Sequence, residues 1–89
     1  MPFTLERATD GVHKWVGVFE DRRIPFGAKG YEDYTQHKNP LRRASYLSRH
    51  RSREDWSNPR TAGALSRWLL WESTSLQEAV RKFKHKFSL

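Results

Sequence analysis

Eighty-nine residues without a cysteine make one small domain, which excludes a disulfide framework or thiolate metal site and leaves little interior for a deep enzyme pocket. Seventeen Lys/Arg against ten Asp/Glu give a net charge of +7, and 13% of the residues are aromatic, so the composition is not that of a disordered tail. A surplus of this sign calls for an anionic partner: nucleic acid first, an acidic protein or membrane surface second.

The opening "MPFTLERATD" lacks the basic-then-apolar pattern of a secretory signal. No apolar run approaches the roughly 18 residues of a membrane span. An intracellular protein is expected. Residues 1–30 read as strands. "FTLER" sets Phe3 and Leu5 against Thr4 and Glu6. "HKWVGVFE" carries Trp15, Gly17 and Phe19 on one face and Val16 and Val18 on the other, the mark of a strand buried on both sides. "RIPF" places Ile24 and Phe26 together, and Pro25, with no amide donor, belongs on an edge. "ATDG" and "EDRR" supply the turns. The expected fold is α+β, with a three-stranded antiparallel meander in 1–30 and three or four α-helices in a basic part, 31–89.

"YEDYTQHK" has room for one or two helical turns. Asn39-Pro40 then reads as a helix start, with Asn39 as N-cap and Pro40 at the first helical position. Leu41, Ala44 and Leu47 recur every three residues and are expected to face the core. "SNPRTAG" offers either Asn58-Pro59 or Thr61 as the next start. "AGALSRWLLW" is apolar around much of its circumference and should be the central helix. Ser75 and Glu78 have the spacing of a capping box. Beyond them Leu76, Val80, Phe83 and Phe87 form a narrow apolar seam among basic residues.

The charge is unevenly placed. Residues 1–35 hold five Lys/Arg against six Asp/Glu, 36–61 seven against two, and 62–89 five against two. In "RASYLSRHRSREDW" and just before it, Arg42, Tyr46, Arg49 and Arg53 step by four, three and four, an outward stripe if the helix continues. Guanidinium groups bind phosphate oxygens bidentately, and a tyrosine among them can stack or donate. The competing reading is a solvated face with i,i+4 pairs, Arg51–Asp55 and His50–Glu54. Two acids do not neutralise the arginines around them.

Other features read as structural. Trp15 and Trp68 are expected inside, Trp56 at the junction between helices, and Trp71 partly exposed. "RKFKHKF" is expected to dock its phenylalanines on the core and leave its cations outside. "GAKG" lacks the spacing of a phosphate-binding loop and reads as a turn, with Lys29 an auxiliary phosphate contact at best. The four histidines are scattered, with no metal-ligand spacing. Glu54 and Asp55, adjacent in sequence, point to different sides of a helix and suit charge pairing better than acid/base work.

Taken together, "FGAKGYEDYTQHK", "YLSRHRSREDW" and "TAGALSRWLLW" resemble a small family of basic proteins encoded by large double-stranded DNA viruses of algae and protists. The resemblance covers roughly Phe26 to Trp71. This chain departs from it at Ala64-Leu65, where bulky aromatics are common, and at Asn39, where an acid is common. The resemblance implies a setting, a virus that must compact its genome and build a virion, and no mechanism.

The expected function is therefore non-enzymatic binding of nucleic acid, DNA ahead of RNA, through its phosphate backbone. The residues expected to carry it are Lys38, Arg42, Arg43, Tyr46, Arg49, Arg51, Arg53 and Arg60. No catalytic residue, metal or cofactor is expected. The runner-up is a minor virion or assembly protein that meets an acidic protein surface with its arginine face and Trp71. Either role places the chain in the host nucleus or cytoplasm, or in the virion.

Overall fold

A computed structural model of the chain describes residues 3–89. Strands β1 (Thr4–Arg7), β2 (His13–Val18) and β3 (Arg23–Ala28) form an antiparallel sheet in the order β1-β2-β3. β2, apolar on both faces, is central as expected, and Pro25 lies on the β3 edge. The first hairpin turns on Asp10, whose carboxylate accepts from the amides of Val12 (2.8 Å) and His13 (2.9 Å). Gly11 next to it takes φ 77°, where a side chain would be strained. The register aligns Leu5 with Gly17, Gly17 with Ile24 and Trp15 with Phe26, so these residues share one face. Phe3, Phe19 and Phe26 are buried, with Leu5, Trp15 and Ile24 packed against the same cluster.

Four helices follow. α1 (Tyr34–His37) is a single turn, started by Asp33 in a capping box with Gln36 and ended by Lys38 at φ 55°. α2 (Pro40–His50) begins as the sequence indicates: the Asn39 side chain accepts from the amides of Leu41 and Arg42. α3 (Ala62–Leu65) starts at Thr61, whose hydroxyl accepts from Ala64, and runs into a π-helical segment, Ser66–Leu70. α4 (Leu76–Lys86) starts at Ser75. Only half of its expected capping box forms. The Ser75 hydroxyl accepts from the Glu78 amide, but the Glu78 carboxylate turns to Arg81, and the Ser75 amide donates to the Ser73 hydroxyl instead.

The helix running from α3 into the π segment is central, with Ala64, Leu65 and Leu69 fully buried and Leu70 nearly so. It lies close against the sheet because glycine allows it. A Cβ on Gly17 would come 2.9 Å from a Leu65 methyl, and one on Gly27 would come 2.9 Å from a Leu70 methyl. α4 lays its expected seam, with Ala79 added, on the same core cluster. Phe83 meets Phe3 at 4.8 Å between ring centres, and Phe87 meets Phe83 at 5.2 Å. Among the described residues, no helix is long and apolar enough to cross a membrane.

α2 departs from expectation in two ways. It turns Arg43, Tyr46, Leu47 and His50 inward, while Leu41 is 78% exposed and Ala44 is exposed too. The helix is rotated by about one residue, roughly 100°, from the face that aliphatic spacing suggested. It also stops at His50, so Arg53 lies in the turn that follows. The rotation has its cause in the contacts that α2 makes.

Candidate nucleic-acid interface

α2 docks through aromatic and polar groups in place of an aliphatic stripe. The Tyr46 ring stacks on Trp71 at 4.2 Å and an interplanar angle of 1°, and His50 stacks on Tyr46 at 4.3 Å. His37 lies against the same indole at 5.3 Å. Burial, followed by the nearby Glu54 carboxylate, pushes the Tyr46 phenol well above its ordinary range. Tyr46 is therefore not part of an outward stripe; its flat contact with Trp71 places it inside. Trp71 in turn is only partly exposed and already covered on one face.

Arg43 also turns inward. Its Nε donates to the Trp71 carbonyl oxygen at 2.7 Å and its terminal nitrogen meets Glu72 at 3.3 Å, with the guanidinium over the Tyr34 ring. Glu72 is shared with Arg67, which donates to it at 2.7 Å. Arg60 is likewise engaged: it pairs with Asp21 and covers the Phe19 ring at 5.2 Å. That pairing holds the Asp21 carboxyl below its usual range. These two arginines, expected among the phosphate contacts, are held instead in structural contacts.

The other basic candidates are at the surface. Arg42 meets Glu32 at 3.2 Å, a pair about half exposed on both sides and hence weak. Arg49, Arg51, Arg53 and Lys38 are exposed, and among the described residues none has a carboxylate partner within salt-bridge distance. The expected Arg51–Asp55 pair does not form. Asp55 accepts from the amide and hydroxyl of Ser57, which lowers its carboxyl pKa and commits it to the turn. The His50–Glu54 pair does form, at 3.0 Å, and Glu54 also accepts from the Trp56 indole at 2.8 Å. Trp56 closes the junction between α2 and α3, its carbonyl accepting from the Trp68 indole at 2.7 Å. Gly63 leaves space for this cluster, since a Cβ there would come 2.8 Å from the Glu54 carboxyl carbon.

Two features escaped the sequence reading. The first is a partly buried tether: Lys14 on β2 donates to Asp33 at 2.8 Å and to Gln36 at 2.7 Å, fixing α1 to the sheet. The D-x-x-Q spacing of Asp33 and Gln36 was the available signal for that helix start. The second is a groove of about 740 Å³ beside α2, lined by Tyr31, Leu41, Arg42, Tyr46, Arg49 and Trp71 among others. A smaller cleft of about 380 Å³, lined by Arg7, His13, Trp15 and Lys29, adjoins it at Lys14 and Asp33.

Residues 3–50, just over half of the chain, match the model of a family of unknown function, DUF5754. The chain belongs to this family. The DUF5754 match takes in the sheet, α1 and α2, with Lys38, Arg42 and Arg49, and ends before Arg51 and Arg53. No curated protein and no solved structure matches the chain.

Proposed function

We propose that this DUF5754 member is a non-enzymatic nucleic-acid-binding protein that grips the phosphate backbone with the exposed end of α2. Arg49, Arg51 and Arg53 carry the binding, with Lys38 and Arg42 beside them. The observation behind this reading is that three guanidinium groups within five residues are exposed and lack a carboxylate partner among the described residues. Unpaired guanidinium groups meet phosphate oxygens without first breaking an ion pair. The net charge of +7 adds a long-range attraction for a polyanion. Arginines on phosphates fix position and carry little sequence information, so binding is largely indifferent to sequence.

The setting follows the resemblance to proteins of large double-stranded DNA viruses. In that setting the chain organises or packages the viral genome, in the host cell or in the virion, with DNA as the partner ahead of RNA. The test is fluorescence anisotropy with labelled DNA at about 50 and about 200 mM salt. Affinity is expected to fall steeply between the two, as counterion release requires. Absence of binding at the lower salt removes the reading. Specific capture of an acidic virion protein by the same face would then favour the assembly role.

A further inference from the structure

We infer that the groove beside α2 holds a nucleobase, so that the preferred partner is a single nucleic-acid strand and not a closed duplex. The inference rests on the phosphate-binding reading above and names the form of the ligand.

Three cations, Lys14, Arg42 and Arg49, line the groove with three carboxylates, Glu32, Asp33 and Glu54. Lys14 is held by Asp33 at 2.8 Å and Arg42 by Glu32 at 3.2 Å, while Glu54 is hydrogen-bonded to His50 at 3.0 Å and to the Trp56 indole at 2.8 Å. Arg49 is the lining cation without a carboxylate partner among the described residues. The groove is thus close to neutral, with one free guanidinium. That combination suits a nucleotide better than a bare anion: the neutral base enters and the phosphate stays at the arginine. The wall also offers the faces a base needs. Tyr31 and Leu41 are 75% and 78% exposed, and both line this groove. Single exposed apolar side chains are ordinary; here an aromatic and an aliphatic one line the same groove and give an incoming base apolar surface to cover. Every base has a π-face, so an aromatic platform beside arginines binds single strands with little regard to sequence. The Ser45 and Ser66 hydroxyls, also in the lining, can serve base edges. The lining also includes Ser66 and Leu70 of the π-helical segment, a departure from α-helical geometry that recurs at functional sites. A duplex keeps its bases stacked and would leave the groove empty.

The test compares a labelled oligodeoxythymidine with a duplex of equal length, at one low salt concentration, by anisotropy. The wild-type chain should bind the single strand more tightly. The double variant Tyr31→Ala/Leu41→Ala should weaken single-strand binding about tenfold and leave duplex binding unchanged. Tyr31→Phe should bind as wild type, because the ring and not the hydroxyl is required. Both positions are exposed, so equal melting temperatures show that the variants are folded. Equal affinity for both probes, unchanged in the double variant, overturns the inference and leaves the phosphate reading standing. Failure to bind either probe overturns both.

Discussion

At the scale of single residues, the arginines divide by what they touch. Arg43 joins α2 to the end of the π segment, and Arg49, one inward turn and more away, touches no acid among the described residues. Arg43→Ala should lower stability by about 1–3 kcal/mol, because the Trp71 carbonyl loses its donor in a half-buried site. The denaturation midpoint reads this, and Arg49→Ala should leave that midpoint unmoved while weakening nucleic-acid binding. Lys14→Met leaves the Asp33 carboxylate, 3% exposed, without its cation. A loss of about 3 kcal/mol is expected from such an uncompensated charge, read in the same denaturation experiment. Tyr46 adds a pH dependence. The fold holds its phenol protonated above the ordinary value near 10. Its contribution is therefore intact below pH 10 and is lost as pH rises above 10 towards the folded-state pKa. Tyr46→Phe should flatten that alkaline decline in a melting-temperature profile; an unchanged decline contradicts the assignment.

At the scale of elements, local chemistry was legible and docking was not. The strands, their order and the starts at Asn39, Thr61 and Ser75 follow from period-two alternation, proline placement and capping side chains. The face of α2 does not, because its contact partner, Trp71, is 25 positions from Tyr46 and three of the four inward groups are an arginine, a tyrosine and a histidine. Aliphatic spacing at Leu41, Ala44 and Leu47 pointed elsewhere, and only Leu47 is on the packed side. The end of α2 was hidden too. Asp55 has the right spacing for Arg51 but is used by the Ser57 turn. The π-helical turn left no signal, since "SRWLL" is apolar on too many sides to show a period. The close approach of this segment to the sheet gives a prediction. Gly27 sits at φ 78° with a Leu70 methyl 2.9 Å from where a Cβ would stand. Gly27→Ala should destabilise the fold by about 1–3 kcal/mol through backbone strain and overpacking together, measured as a fall in melting temperature.

At the scale of the whole molecule, Asp33, Glu72 and Asp21 are each engaged by a Lys or Arg, and the chain as a whole keeps a surplus of +7. The residues singled out in the sequence divide in the fold. Arg43, Tyr46 and Arg60 are drawn into structural contacts, while Arg49, Arg51 and Arg53, at and just beyond the end of α2, are exposed with no carboxylate partner among the described residues. Part of this site was visible in the clustering of arginines. The division between held and free arginines was not, because it depends on acids at Asp21, Glu32 and Glu72 that only the folded chain brings near. The measurement that bears most directly on this account is the salt dependence of DNA affinity for the wild-type chain and for the variant Arg49→Gln/Arg51→Gln/Arg53→Gln. Each lost phosphate contact should flatten the logarithmic slope by about 0.9 on duplex DNA or about 0.7 on a single strand. The triple variant should therefore bind more weakly, with a slope smaller by roughly 2–3, at an unchanged melting temperature. An unaltered slope and affinity in a folded triple variant would contradict the account.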